Sequence, residues 1–387
     1  MEVVNVMRKR FFHLGDLHIG KKVNGFSMIE DQRFILNQIV ELAVEKEIDF
    51  LLIAGDLYDR TVPNIDAVNL ADDFLTKLVN LKIKVYIISG NHDSADRLSF
   101  GSKIVENSGL YIYSKFDGNI RFYDVDENIR VYMLPFIRPV DVKAIYPEEK
   151  IDSYDAACKT VVEKLTLDES KFNIIMAHQF LLGADICESE EVFIGSLYSV
   201  NADIFKEFDY VALGHLHGPQ KVGGRESCRY SGSVLKYSFS EVNHKKSIPS
   251  CDIYFDADEK NLKIEKIPLK PLRDMIQLKG NLAQIEGSYK TLDVCEDYVR
   301  VILTEEDDIA ALNKLREIFP NLMKLEYDNN RTRESRNYEI SVDDIKRNPV
   351  DMFSELYSIQ MGESLSEKQT EYINTMAEKI WEENHEN

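Results

Sequence analysis

Short apolar runs alternate with amphipathic stretches from residue 9 to about 270. FFHLG, FLLIA, VYIIS, IIMA and YVAL are each continuous enough to be strands covered on both faces. Between the first two, over 29–47, Phe34, Ile35, Ile39, Leu42 and Ala43 recur at helical spacing. Ala67, Ala71, Phe74, Leu75 and Leu78 repeat the pattern before VYIIS. Two strand–helix–strand units follow, right-handed by the crossover rule. Later, RFYDVDENIRVYMLPF predicts a hairpin turning near Asp126-Glu127-Asn128, and 228–267 is again strand-rich. The expected fold is α/β, with a mixed and doubled sheet.

Pro268 and Pro271 mark the expected end of that domain, 1–270. Beyond them IQLKG, YVRVILT and LMKLEYD enclose a helical stretch near 307–318, which predicts a small α+β domain over 271–340. The tail, 341–387, predicts two amphipathic helices. Asn348-Pro349 starts the first, Gly362 ends it, and Val350, Phe353, Leu356 and Tyr357 share a face. Ser366-Glu-Lys-Gln369 is a capping box for the second, whose apolar face is Ile373, Met376, Ala377, Ile380 and Trp381. Spacing alone fits docking on their own domain or on a partner.

At 387 residues the chain exceeds one comfortable core, and 44% hydrophobic with 29% charged residues is an ordinary globular balance. No apolar run approaches the roughly 18 residues that span a bilayer, and MEVVNVMRKR lacks signal-peptide order, so a cytoplasmic protein is expected. Cys158, Cys187, Cys228, Cys251 and Cys295 are scattered without CxxC spacing, which argues against a structural zinc or a disulfide framework. The net charge of -20 excludes a general basic coat for nucleic acid, though not a local basic track.

Five short polar motifs each end an apolar run: Asp16-Leu-His18, Gly55-Asp56-Leu-Tyr-Asp59-Arg60, Gly90-Asn91-His92-Asp93, His178 and Gly214-His215-Leu-His217. Singly each reads as a turn or a core histidine. Together they would converge at one sheet edge and build a metal site. Carboxylates, imidazoles and an amide suit Mn, Fe or Zn; the absence of cysteine disfavours soft metals, and five imidazoles fit magnesium poorly. Two divalent cations bring +4 against the carboxylates of Asp16 and Asp56, so the pocket would attract phosphate. Such cations lower the pKa of bound water from 15.7 towards roughly 7 to 9, which makes phosphoester hydrolysis the expected chemistry.

The ordered set DxH, GDxxD, GNHD, H and GHxH resembles the calcineurin-like metallophosphoesterase superfamily. Met176-Ala-His178-Gln179-Phe180, Gly214-His-Leu-His217 and RYSGSVLKYSFSE from Arg229 to Glu241 resemble, within it, the SbcD family of nuclease subunits. The resemblance implies a two-sheet metallophosphoesterase sandwich flanked by helices, with a small α+β cap domain and a C-terminal helical tail. It implies that Asp16, His18 and His217 hold one metal, that Asn91, His178 and His215 hold the other, and that Asp56 bridges them. His92 would meet the scissile phosphate, oriented by Asp59. The implied activity is Mn2+-dependent 3′-to-5′ double-strand exonuclease and hairpin endonuclease action on DNA in recombination, replication and repair. The implied partner is an SbcC-type coiled-coil ATPase bound through the C-terminal helices, with two copies of each subunit. A dinuclear phosphoesterase for small phosphoesters or phosphoproteins is the alternative, and an intact ligand set opposes a non-catalytic scaffold.

Arg60 stays outside the catalytic set, because phosphatases of the superfamily use the equivalent arginine and nuclease members often lack it. His13 fits a role behind the ligands or a place in the core; His244 and His385 lack a motif and are expected in solvent. Val234 stands where the family commonly has proline. Lys21-Lys22, Lys221, Arg225, Arg229, His244-Lys245-Lys246 and Arg331-Thr-Arg333-Glu-Ser-Arg336 are candidate DNA contacts.

Overall fold

The structure is a computed structural model that describes residues 7–187, 190, 199–256, 259–289, 296–305 and 309–328, together with 354, 357, 365, 366, 368–370, 372 and 373. Its strands begin with β1 (Met7–Leu14), β2 (Lys22–Val23), β3 (Phe26–Ser27), β4 (Phe50–Ala54), β5 (Lys84–Ile88) and β6 (Leu110–Tyr113). Next come β7 (Arg121–Asp124), β8 (Ile129–Leu134), β9 (Phe172–His178), β10 (Tyr210–Gly214), β11 (Gln220–Val222) and β12 (Arg225–Tyr230). The last are β13 (Ser247–Asp256), β14 (Glu259–Pro268), β15 (Met275–Gly280), β16 (Tyr298–Leu303) and β17 (Leu322–Tyr327).

Two six-stranded sheets dominate, in the orders β14-β13-β1-β4-β5-β6 and β11-β12-β10-β9-β8-β7, with β2 and β3 forming a separate ribbon. In the first, β1, β4, β5 and β6 are parallel while β13 and β14 run antiparallel. In the second, β12, β10, β9 and β8 are parallel between antiparallel edges. Both sheets are thus mixed, as the sequence predicted. Alternation along each strand fills three cores. On β4, Phe50 and Leu52 enter the core between the sheets, where they join Met176 of β9 and Tyr210 of β10. Leu51 and Ile53 face the opposite way and pack under helices α1 (Ile29–Glu45) and α2 (Ile65–Asn80). Ile175, Ala177, Val211 and Leu213 form the outer core of the second sheet, against the helix Tyr154–Val162. The layers are helix, sheet, sheet, helix.

The helices form where the apolar spacing predicted them. α2 begins at Asn64, whose side chain accepts from the Ala67 N–H at 2.8 Å. On α1 the buried stripe is Ile35, Leu36, Ile39 and Ala43; Phe34, expected in it, is 40% exposed. The hairpin of β7 and β8 turns where expected, because Asp126 Oδ1 accepts from the N–H groups of Asn128 and Ile129 at 2.9 and 3.1 Å.

The chain divides into a compact unit, Met1–Glu326, and a second, Tyr327–Asn387. Within the first, β15, β16 and β17 make a three-stranded sheet accompanied by helices Leu282–Tyr289 and Ile309–Ile318. This sheet is tied to α1. Arg273 pairs with Glu30 at 2.6 Å and Asp31 at 2.9 Å, the Tyr298 hydroxyl donates to Asp31 at 2.7 Å, and Met275, Tyr298 and Met323 join the core under α1. In the second unit Gln369 Oε1 accepts from the Ser366 N–H at 2.9 Å, half of the predicted capping box. Tyr357 and Ile373, expected on the apolar faces of the tail helices, are helical and half-buried, while the other expected features of the tail, with Cys295, His385 and the Arg331–Arg336 cluster, lie outside the described residues. Cys158, Cys228 and Cys251 are buried free thiols, and no described helix is long and apolar enough to cross a membrane.

Asp31→Ala would leave Arg273 and Tyr298 without their shared acceptor. Thermal unfolding of the full chain should report a loss of about 2–3 kcal/mol; an unchanged midpoint would refute this tie.

Candidate metal centre

Every motif sits at the carboxyl end of a parallel strand, where open α/β sheets bind ligands. Asp16 and His18 follow β1, Gly55 and Asp56 follow β4, Asn91 and His92 follow β5, His178 ends β9, and His215 and His217 follow β10. The two sheets touch at this edge. His178 Nδ1 donates to the Ala54 carbonyl across the gap at 2.8 Å, and a Cβ on Gly214 would lie 1.8 Å from that same oxygen. At Gly90 a Cβ would lie 2.1 Å from Asp56 Oδ1. Glycine here allows backbone contact that no other residue permits. The turns are strained as well: Asp16, His18, Asp56 and His215 have φ of 53°, 43°, 50° and 101°, where side-chain-bearing residues are uncommon.

The resulting cluster is continuous. His18 Nε2 lies 3.1 Å from His217 Nε2 and 3.6 Å from Asp56 Oδ2. Asp56 Oδ2 is 3.3 Å from His178 Nε2, which is 3.0 Å from Asn91 Oδ1; His215 Nδ1 reaches that amide oxygen at 3.0 Å. Asp16 accepts from the His215 main-chain N–H at 2.9 and 3.1 Å, and can present one oxygen within 4.8 Å of ring nitrogens on both His18 and His217. All seven predicted ligands therefore come together. His92 is half-buried beside them, its ring 4.8 Å from that of His18, with its N–H donating to Asp56 Oδ1 at 2.9 Å.

Burial and neighbouring charges perturb the ionisable groups of this cluster strongly. Burial raises Asp16 to about 7, against the opposing pull of His178 and His217. Burial would raise Asp56 too, but His178, His18 and His92 hold it below the usual carboxylate range. Burial also acts on His178, where Asp56 and Asp16 outweigh it and raise the ring to about 9. Burial lowers His18 well below its ordinary value and, helped by His178, lowers His215 to about 3. His18 Nδ1 is buried with no hydrogen-bond partner among the described residues. The seven predicted ligands offer oxygen and nitrogen lone pairs, a donor set that fits divalent cations of intermediate hardness; Cys187 and Glu190 also bring ligand atoms within 4.8 Å of a His217 ring nitrogen.

Several supporting residues carry no signal in the sequence. Glu241 takes His217 Nδ1 at 3.1 Å and Lys246 Nζ at 2.5 Å. Asp93 accepts from the N–H groups of Leu57, Tyr58 and Gly90 at 3.1, 3.0 and 3.0 Å, so it locks two ligand loops together. Gln32 on α1 donates to the carbonyls of Leu17 and His18 and accepts from Gly20. No spacing links these residues to their partners; only the GNHD motif hinted at Asp93.

Other expectations change. His92 Nδ1 meets the main-chain carbonyl of Asp59 at 3.1 Å, while the Asp59 carboxylate pairs with Lys21 at 2.7 Å. Arg60 is largely exposed, its Nε 3.7 Å from Asp59. His13 is a core residue: its Nδ1 is 3.0 Å from the Tyr210 hydroxyl, and burial, then Arg229, lowers it to about 3. His244 is half-buried rather than solvated, and Val234 is buried among the residues under α1. Among the candidate DNA contacts, Arg229 and Lys246 are buried and thus unavailable to a polyanion. Lys221 pairs with Glu226 at 2.8 Å and Arg225 donates to the carbonyls of Phe205 and Lys206, whereas Lys22 and Lys245 are exposed.

The fold is that of a calcineurin-like phosphoesterase, and residues 9–219 match the family of that description. Residues 271–360 match a second family, described as the type 5 capsule protein repressor C-terminal domain. The SbcD component of nuclease SbcCD from Staphylococcus epidermidis is 35% identical over 321 residues, 82% of this chain and 84% of its own. The protein of the same name from Staphylococcus saprophyticus is 32% identical over 384 residues, 97% of this chain and 99% of its own. Among solved structures, a dimetal phosphatase from Danio rerio covers 68% of this chain and 98% of its own at 12% identity and a TM-score of 0.41. The chain belongs to the SbcD family of nuclease components within the calcineurin-like phosphoesterases.

Gly214→Ala should force the sheets apart at Ala54. Calorimetry should show a loss of about 3 kcal/mol, with lower metal content by mass spectrometry; wild-type values of both would contradict the close approach.

Proposed function

We propose that this chain is the catalytic subunit of a DNA-processing nuclease, a dinuclear-metal phosphodiesterase. One observation carries the reading: Asp16, His18, Asp56, Asn91, His178, His215 and His217 converge on one buried focus with His92 beside it, in a chain of this family. Asp16, His18 and His217 would hold one divalent ion, Asn91, His178 and His215 the other, and Asp56 both. When bound, such ions, Mn2+ in our reading, supply activated water and offset phosphate charge.

The chain's own residues do the rest. The Asp59 carbonyl can only accept, so the hydrogen of His92 rests on Nδ1 and Nε2 is left for the phosphoester. From there His92, once protonated, delivers a proton to the departing oxygen, a step worth about 10²- to 10⁴-fold. Asp59 sets the placement of His92 through that carbonyl, and the Lys21 pairing of its carboxylate steadies the loop. The deep placement of the ligands limits the approach of bulk water.

The substrate we assign is DNA, cut as a 3′-to-5′ double-strand exonuclease and as an endonuclease that opens hairpins, in recombination, replication and repair. The work is divided among a nuclease domain, 1–270, a cap domain that contacts DNA, 271–340, and a segment, 341–387, that binds an SbcC-type coiled-coil ATPase. Two copies of each subunit assemble, in the cytoplasm. The names of the relatives support the partnership.

Labelled hairpin DNA, incubated with Mn2+ and the full chain, alone and with its ATPase, should be cleaved while p-nitrophenyl phosphate turns over poorly; no hairpin cleavage in either condition would overturn the nuclease reading. His92→Ala should keep wild-type metal content yet lose at least about a hundredfold in turnover, whereas His215→Ala should lose metal. Equal metal loss in both would show that the roles are wrongly divided.

A further inference from the structure

We infer that Glu241 is a positioning residue for the metal centre: its carboxylate holds the His217 ring so that Nε2 faces the ligand focus, and Lys246 holds the carboxylate. The inference rests on the dinuclear reading above and deepens it.

Glu241 is fully buried, 24 positions beyond the histidine it touches. Its Oε1 lies 3.1 Å from His217 Nδ1 and accepts from the Tyr237 N–H at 3.2 Å; its Oε2 takes Lys246 Nζ at 2.5 Å. A carboxylate paired with lysine can only accept, so Nδ1 carries the ring hydrogen and Nε2 keeps its lone pair. That nitrogen is the one 3.1 Å from His18 Nε2. Lys246 acts on the same histidine from behind, donating to the His217 carbonyl at 2.8 Å and to Ser233 Oγ at 2.8 Å. Ser233 in turn donates its N–H to the His217 carbonyl at 3.2 Å. Carbonyl and ring of one ligand are therefore gripped by a single loop, 233–246, while the His217 N–H donates to Glu190.

This grip is selective. His178, on the other half of the centre, has its Nδ1 fixed by the Ala54 carbonyl rather than by a side chain. Loss of Glu241 should therefore affect the ion held by Asp16, His18 and His217 and spare its neighbour. Removing an outer hydrogen-bond partner of a metal-binding histidine typically weakens the metal about 10- to 100-fold.

A buried ion pair also supports the fold, so the test removes that pair in every arm. Two full-length double variants, Glu241→Gln with Lys246→Met and Glu241→Leu with Lys246→Met, both lack the pair and differ in whether an acceptor faces His217. Binding of Mn2+ is followed by electron paramagnetic resonance of the free ion, with circular dichroism as the check on folding. The glutamine variant, which keeps an acceptor facing His217 Nδ1, should bind two ions per chain, the second more tightly than the leucine variant binds it. The leucine variant should bind one normally and the second about 10- to 100-fold more weakly. Identical affinity and stoichiometry in the two folded variants would overturn the positioning role and leave the dinuclear reading intact. Wild-type protein that binds fewer than two ions would overturn both.

Discussion

One hydrogen bond joins the two halves of the molecule at its functional edge: His178 Nδ1, at the end of β9 in one sheet, donates to the Ala54 carbonyl at the end of β4 in the other. Gly214 lies against the same oxygen, so the two backbones meet with no side chain between them. The ligand distances that cross between the sheets depend on that contact, because Asp16, His18, Asp56 and Asn91 ride on the first sheet and His178, His215 and His217 on the second. Packing of Phe50 and Leu52 against Met176 and Tyr210 sets the sheet separation behind it. The core between the sheets is thus also what sets the reach of the site.

The parts legible in the sequence are those whose cause is local. An apolar strand followed by a polar turn needs no distant partner to be recognised, so the motifs that carry the seven proposed ligands and His92 could be picked out in advance, while their separate roles came from the family resemblance. The α2 stripe and the Asp126 turn belong to the same class. What stayed hidden are residues whose meaning depends on a partner far along the chain. Glu241 closes a run that carries the family resemblance, but nothing local ties it to His217 until the two are folded together, and Gln32 reads as an ordinary helical glutamine until the loop after β1 reaches it. Arg229 shows the converse error, since a cation in a polar run suggested a solvent-facing contact while its strand places it inside. For His13, strand alternation points the ring between the sheets, where Tyr210 meets it.

Electrostatics explain why so acidic a chain can serve a polyanion. The acids near the centre are occupied: Asp93 by three backbone N–H groups, Glu241 by Lys246 and His217, and Asp59 by Lys21. Asp16 and Asp56 would then be the carboxylates left to face bound cations. Negative charge elsewhere on the surface is screened over about 8 Å at physiological salt, so the local field at the centre, rather than the chain total of -20, governs what approaches.

The Asp31 junction has a consequence of a different kind. Its neighbour on α1, Gln32, holds the loop that carries His18, while Asp31 itself holds Arg273 and Tyr298 beneath the three-stranded sheet. Adjacent residues on one helical turn thus serve as a shared bearing. A displacement of the small sheet would act on the chain within one residue of the side chain that holds the ligand loop. The first turn of α1 is where mechanical load and metal geometry become the same variable.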